Sequence, residues 1–590
     1  MRPVDFFPFF EDLKKYKLKF LKQDLIAAIS VALMALPQSM AYAFLAGLPT
    51  SMGIWSVIFG VIFTASFGQS RFLVSGTTNM VAILMQSGIS EILYTYYPGI
   101  HGQARDVLAS NIAIEIILII GIFQCIAGLL RLGRLTEFTS RSVVMGYISG
   151  GAATIVVTQL FPFFGIKEMD QYQPLYQQAW FFIEKIHNLY VPTILLSISS
   201  LILLIIFHRI SVKIPGAAVV FLLAGSITFF FHLAPEASKS IFEISPGHRI
   251  GRIVLLQDFS FLSFDVPRFS IPFFHFRIFT KIIPLAFAIA LLSVIEATTI
   301  GRNYTSSKDS TYDSNQEIYG LGVSNCFSSF LYAMPSSGSF SRSALNIGSG
   351  ACTRFSAIMS GLLAFLFIGL FGFLVNKIPI STLSALMIFV AYNMINFKDF
   401  FICLRATRGD AFVLLSTFLS SMIFTLDITL YIGVVLSVVI YLKRAAIPYL
   451  IDYAFNNFGK LRPLEAKEER PDPRICILQP EGELFFGAAD LLQAKLRDIS
   501  EDDSIKILIL QLLNTRYIDA SICLMLRELL NYLKATGKKL LISGISTEVW
   551  KTLEDSQFIN EIGKENLFPA NEQLPSEPTR NAYKLAKDYI

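Results

Sequence analysis

Through the first 445 or so positions, apolar residues do not mark one face of each segment. They fill whole runs, most of them near the length of about 20 residues that carries a helix across a bilayer. The runs fall at 24–45, 52–68, 74–93, 111–130, 143–161, 191–207 and 217–231, and again at 282–300, 317–333, 341–350, 355–374, 381–395, 411–426 and 428–442. That is two sets of seven, in which the third and the tenth are the least complete as spans. Before them, Lys14, Lys15, Lys17, Lys19 and Lys22 alternate with Phe6, Phe7, Phe9, Phe10, Leu18 and Phe20, as in an interfacial segment. The run that follows is too long for a signal peptide and has no small-residue cleavage site, so it is expected to be retained.

After Lys443 and Arg444 the pattern changes. A charged, proline-containing stretch (465–474) precedes short buried runs at 475–478, 505–512 and 539–543, which read as strands. Ile522, Met525, Leu526, Leu529 and Leu533 mark one helical face that ends before Gly537. Strands alternating with helices predict a small α/β domain. The expected division is an N-terminal segment 1–23, a membrane unit 24–446 with repeats at about 24–231 and 282–442, a linker 447–474, the α/β domain 475–570 and a tail 571–590.

Composition agrees with this reading. Hydrophobic residues make up 53% and charged residues 16% of the chain, against roughly 25% charged in soluble domains. Basic residues gather in the loops that lie inside when the N-terminus is inside: Arg71; Arg131, Arg134 and Arg141; Arg209 and Lys213; Arg302 and Lys308; Arg354; Lys398, Arg405 and Arg408; and Lys443 and Arg444. The long loop 232–281, predicted outside, is the poorest fit. An even number of spans places both termini in the cytoplasm. The net charge of +5 therefore needs no nucleic-acid partner. The six cysteines and six histidines form no CxxC or HExxH pair, so neither a disulfide framework nor a metal site is expected. No nucleophile or nucleotide motif suggests an enzyme.

Three polar constellations interrupt the apolar runs. Pro37 precedes Gln38, Ser39 and Tyr42 in the first span, where a proline frees a backbone carbonyl and favours a kink. The third run opens on Val74-Ser75-Gly76-Thr77-Thr78-Asn79. The tenth opens on Ser336-Ser337-Gly338-Ser339-Phe340-Ser341-Arg342 after Pro335. Such residues also cap ordinary helices at a membrane boundary. Their recurrence at the third place of each set, however, is the pattern of inverted repeats with paired broken helices. A helix that starts inside the bilayer offers free N–H groups and a positive dipole end to an anion, and Arg342 adds a full charge. Glu296, in the eighth run, reads as a proton or sodium site or as the partner of Arg342. Glu115, in the fourth run, is expected near the outer surface and solvated. Ser314 to Glu317 fits a capping box.

In this order the residues resemble the SulP family of anion transporters, the bacterial sulfate-permease and animal solute-carrier 26 group. The motifs that carry the resemblance are PQSMAYAFLAGLP from Pro37, FGQSR from Phe67, NQE from Asn315 and SRSALNIGSG from Ser341. The resemblance implies a polytopic α-helical membrane protein with fourteen segments in a seven-plus-seven inverted repeat, divided into core and gate domains. It implies elevator-like alternating access and a homodimer in the cell membrane. By position, Gln38 and Tyr42 line the substrate site, Gly76, Thr77 and Thr78 supply the third helix start, and Ser341 and Arg342 supply the tenth. Glu296 matches the acidic position tied to cation coupling in bacterial members. Where the family commonly has Gly-Pro, this chain has Gly76-Thr77, whose extra donors suit an oxyanion.

The C-terminal region resembles a STAS domain, cytoplasmic and suited to a protein partner. Ser521 corresponds to the serine that is phosphorylated in soluble anti-sigma-factor antagonists; Asp519 or Ser521 would otherwise cap the helix. The function expected is secondary active transport of a small inorganic oxyanion, sulfate first, coupled to co-transported H⁺ or Na⁺, with no cofactor. The alternatives are a bicarbonate or dicarboxylate carrier, an anion exchanger or an uncoupled chloride channel. From another class comes a membrane-anchored regulatory protein, for which fourteen spans are excessive.

Overall fold

The computed structural model describes residues 5–100, 103–133, 140–167, 174–210, 215–231, 247–248, 250, 252–258, 269, 271–272, 274–304, 312–375, 377–447, 449–456, 460–465, 470–482 and 484–590. Arg134, Lys213, Lys308 and most of the loop 232–281 lie outside the described residues. The chain divides into two compact units, Met1–Ser437 and Val438–Ile590.

Every apolar run is helical. The first set gives α1 (Leu21–Leu45), α2 (Thr50–Phe67), α3 (Asn79–Tyr96), α4 (Gln103–Leu129), α5 (Arg141–Phe164), α6 (Val191–Ile210) and α7 (Gly216–Phe230). The second gives α8 (Phe279–Tyr304), α9 (Ser314–Phe330), α10 (Phe340–Gly348), α11 (Phe355–Val375), α12 (Ile380–Met394), α13 (Arg408–Ile423) and α14 (Leu426–Ala445). The incomplete third and tenth runs have a structural cause. Each begins with a two-residue extended segment, β1 (Ser75–Gly76) and β2 (Ser337–Gly338), and these pair antiparallel, Ser75 opposite Gly338 and Gly76 opposite Ser337. All four residues are buried, so α3 and α10 start inside the protein instead of at its surface.

Two packing groups result. Helices α1–α4 and α8–α11 pack among themselves, while α5–α7 pack with α12 and α13; α14 joins the second group through Gly433, which lies against Thr417 and Val143. In the first group α4 and α9 meet across small residues: a Cβ on Gly322 would lie 2.5 Å from the Cys125 amide nitrogen, and one on Gly121 would lie 2.6 Å from that of Cys326. Helix association in a bilayer draws on this kind of close approach, because lipid is as apolar as the helices themselves.

Helix α1 runs unbroken through Pro37. The irregular turn lies in α2 instead, as a π-helical turn over Ser56–Gly60. The widened turn leaves the Gly60 carbonyl to accept the hydroxyls of Ser75 (3.1 Å) and Ser324 (3.0 Å), a use of π-bulges common at functional sites.

The capping box expected at Ser314 is absent. Asp313 caps α9 by accepting from the Asn315 amide at 2.9 Å, and Ser314 accepts from Arg302. Glu317 instead reaches across to the chain leaving α2, accepting from the amides of Gln69 (3.1 Å) and Ser70 (2.7 Å). Those amides lie just past a helix end, where a carboxylate is a stronger acceptor than water-starved alternatives; charge-assisted bonds of this kind contribute about 1.5–3 kcal/mol each. Gln316 donates to the Phe67 carbonyl at 2.7 Å and Asn315 accepts from Gly133. The sequence motifs NQE and FGQSR are thus two sides of one seam. Glu115 also departs from expectation. It is fully buried and accepts from the backbone and ring of His275 (3.2 Å), because the segment before α8 packs against the middle of α4.

The C-terminal unit is a six-stranded sheet in the order β4-β3-β5-β6-β7-β8. Its strands are β3 (Tyr449–Phe455), β4 (Leu461–Pro463), β5 (Ile475–Glu481), β6 (Ile507–Gln511), β7 (Lys539–Ile545) and β8 (Leu567–Pro569). The last four are parallel; β3 is antiparallel to both its neighbours. Helices α15 (Phe486–Ser500), α16 (Ala520–Ala535), α17 (Thr547–Asp555) and α18 (Phe558–Ile562) cover one face. The apolar stripe predicted for α16 is buried throughout, and Gly537 ends it at φ +70°. The stretch read as a linker contains β3 and β4, and the stretch read as a tail forms α19 (Glu577–Tyr589), which covers Ile477, Ile509 and Leu541 on the other face through Ala582 and Ala586. Deleting 571–590 from the full chain is expected to uncover that face, at roughly 25 cal/mol per Å² of apolar surface. Faster amide exchange in β5, β6 and β7 would be the measured consequence.

Candidate functional site

The site is built where β1 and β2 cross. Arg342, in the first turn of α10, is wholly buried. Its Nη1 donates to the Ser75 carbonyl at 3.2 Å and its Nη2 to the Thr77 carbonyl. The guanidinium packs closely against Gly76: the residue has φ +128° and a Cβ there would stand 2.5 Å from Nη1, so glycine suits the position on both counts. The positive group of one repeat is therefore held by the broken-helix backbone of the other. Neutral carbonyls offset only part of the several kcal/mol that burying a charge costs, and Nε has no hydrogen-bond partner. Of the guanidinium nitrogens, Nε is the one left without an acceptor among the described residues.

The two helix starts differ in one respect. At α10 the Ser339 hydroxyl caps the Arg342 amide, 3.4 Å away. At α3 the cap position is Thr78, whose side chain does not cap. Its hydroxyl donates instead to Glu296 at 3.1 Å, and Ser337 from β2 donates to the same carboxylate oxygen. One hydroxyl from each repeat thus holds Glu296, and Thr78 leaves the first turn of α3 without a cap from its own side chain, although Asn79 Oδ1 accepts from the Met80 amide at 3.0 Å. Glu296 is half-buried and interacts with Arg342 through space, not as a direct ion pair.

Of the remaining expected residues, Tyr42 is buried on α1 and within electrostatic reach of both Arg342 and Glu296. Gln38, one turn earlier, is buried with Oε1 unpartnered. Thr77 is buried, but its amide and hydroxyl both meet the Ser56 hydroxyl, at 3.0 and 2.9 Å; it ties β1 to the wide turn of α2. Ser341 is exposed, with its hydroxyl 3.4 Å from that of Ser339. In the C-terminal unit Ser521 is half-buried at the second position of α16. Asp519 takes the capping role there: Oδ1 accepts from Ile522 and Oδ2 from Phe486.

Sequence reasoning missed several contributors. Ser56 and Ser337 have been named above. Asn325 bonds the Ser336 amide (2.7 Å) and Gln124 (2.8 Å), and Gln124 bonds Ser293 (2.6 Å), a buried polar brace under β2. Tyr147, on α5, is buried with its hydroxyl unpartnered and within electrostatic reach of Glu296. Lone amides and a tyrosine within apolar runs were the available signal. Among the described residues no group of three His, Cys, Asp or Glu is placed to hold a metal ion.

Two interlocked sets of membrane helices, with paired half-helices meeting at a buried cation, define a multi-pass membrane transporter. Residues 21–417 match the model of the sulfate permease family and residues 466–574 that of the STAS domain. The chain belongs to the sulfate permease family, and the family is one of transporters. It is 26% identical to the putative sulfate transporter YvdB of Bacillus subtilis, over 95% of this chain and 98% of that protein. It is 27% identical to the chloroplastic sulfate transporter 4.1 of Arabidopsis thaliana, over 96% and 82% respectively. The fold is that of SLC26A9, with a TM-score of 0.87 at 18% identity over 99% of this chain and 93% of that one. The transmembrane domain of the cyanobacterial bicarbonate transporter BicA is similar over 72% of this chain and 98% of its own, at a TM-score of 0.56 and 20% identity.

Proposed function

We propose that this chain is a secondary active transporter of a small inorganic oxyanion, sulfate first, driven by H⁺ or Na⁺ through Glu296. The observation that carries the proposal is the buried Arg342 guanidinium with an unpartnered Nε beside the start of α3, where the Thr78 hydroxyl does not cap the helix. An oxyanion there would accept from Arg342, from the first-turn amides of α3 and from the side chains of Gln38 and Tyr42. The relatives named sulfate transporters, aligned along nearly the whole chain, support sulfate as the first choice.

Protonation or sodium binding at Glu296 would remove the negative charge beside the anion, so that substrate and cation favour each other. Movement of the first packing group against the second, elevator-like, would then expose the site to alternate sides. With the N-terminus cytoplasmic and the protein in the cell membrane as a homodimer, residues 24–446 would form the transport part. Residues 475–570 would be a cytoplasmic STAS module open to a protein partner or to phosphorylation at Ser521.

Counterflow in proteoliposomes with sulfate, bicarbonate, succinate and chloride, with and without a pH or sodium gradient, tests the reading. Concentrative sulfate uptake that needs the gradient is expected; chloride conduction without accumulation would refute it. The two threonines separate further. Thr77→Val removes the hydroxyl that bonds Ser56 and the Pro335 carbonyl, leaving Ser56 only the backbone amide, and is expected to lower thermal stability by roughly 1–3 kcal/mol. Thr78→Val removes a hydroxyl from Glu296 and is expected to shift the pH or sodium dependence of uptake at near-normal stability. Sulfate uptake unaffected by both substitutions would count against an oxyanion at this helix start.

A further inference from the structure

A cavity of about 40 Å³ with a mixed apolar and polar wall lies at the C-terminal end of α1, where α5 ends and α6 and α12 begin. One water needs roughly 10–15 Å³, so a small ion fits. Its wall includes Phe44 from α1, Gly165 from the end of α5, Thr193 from the first turn of α6 and Ser381 from the first turn of α12, with Lys167 and Arg252.

The polar atoms here are sorted by kind. Four carbonyls at the end of α5, which would repel an anion, are engaged: Phe161 by Ile166, Phe163 by Ser197, Phe164 by Tyr190 and Gly165 by Ile250. The hydroxyls of Thr193 and Ser381 are not. Both residues are more than nine-tenths buried, both hydroxyl oxygens lack a partner, and both line the cavity. Each sits at the positive end of its own helix dipole. Asp258 holds Arg252 at 3.1 Å and Asp106 acts on Lys167, so charge is balanced around the rim, and what distinguishes the interior is two spare donors at two helix starts.

We propose that this cavity is a second anion site, separate from the one at Arg342, taking a small inorganic anion such as chloride through Thr193 and Ser381. It touches α1, which carries Gln38 and Tyr42, and three helices of the other packing group. An anion bound there bridges the boundary between the two groups and would alter the rate at which one moves past the other. Binding itself does not depend on the transport reading.

The experiment follows thermal unfolding of the full-length protein in detergent while sodium chloride replaces sodium gluconate at constant ionic strength. A ligand of the folded state raises the midpoint with concentration and saturates. In Arg342→Gln, which removes the central site, a saturable chloride-dependent rise is expected to persist. It should disappear when Thr193→Val and Ser381→Ala are added. The same pair in the otherwise unaltered protein should remove a saturable chloride-dependent phase, which keeps the test decisive if Arg342→Gln fails to fold. No saturable chloride-dependent rise in the parent protein, or a rise that Thr193→Val with Ser381→Ala leaves unchanged, would overturn the proposal. Loss of only the Arg342-dependent phase bears on the proposed transport site instead.

Discussion

Arg342→Gln is expected to reduce sulfate binding and uptake by two to three orders of magnitude. Removing one partner of a buried charged arrangement costs about 3–5 kcal/mol, and about 1.4 kcal/mol is tenfold in affinity. The substitution deletes the buried positive charge beside the α3 start and also releases the Ser75 and Thr77 carbonyls that the guanidinium holds. The second effect could by itself disturb the β1–β2 crossing. Arg342→Lys separates the two: it keeps the charge but not the planar fork that reaches both carbonyls, and is expected to retain weak, measurable uptake. Equilibrium binding of radiolabelled sulfate to protein of unchanged elution volume reads the result. Near-normal binding by Arg342→Gln would remove the central argument for an anion at this position.

Glu296→Gln should abolish gradient-driven accumulation, at least tenfold, while leaving counterflow of the same anion largely intact. Glutamine keeps an oxygen for the hydroxyls of Thr78 and Ser337, so the local geometry is preserved and only the exchangeable charge is lost. If Glu296 carries the coupling ion, the variant behaves as though permanently loaded: exchange continues, and neither a pH nor a sodium gradient drives uptake. Uptake that keeps its normal gradient dependence would move the coupling role elsewhere. Parallel counterflow and gradient-driven assays on the same vesicles distinguish these results.

The membrane helices were legible because a span must be apolar over its whole length, a demand that leaves its mark in every run. The paired helix starts were legible for a related reason: clusters such as Ser75 to Thr78 and Ser336 to Arg342 are costly inside a bilayer unless the fold uses them. The capping box at Ser314 failed because a local pattern was read without its neighbours, when Glu317 had a better outlet in the amides of Gln69 and Ser70. Burial of Glu115 was missed because His275, 160 residues away, supplies its donors. Strand β4 and helix α19 lie in charged stretches with few apolar positions, and β3, apolar except for Asp452, follows directly on the last membrane run; only the sheet they complete gives these segments something to cover.

The amino-acid order by itself determined where the chain crosses the membrane, that two halves repeat one design, and which few polar residues stand where lipid would otherwise be. These follow from solvation, which acts on each segment independently of the rest. The tertiary structure alone decided that Arg342 rests on Gly76 of the other repeat, that Thr77 serves Ser56 while Thr78 serves Glu296, and that Asn325 and Gln124 brace the crossing. Hydrogen-bond partners in a membrane protein are set by which helices meet and at what height, and residues hundreds of positions apart carry no local sign of having met.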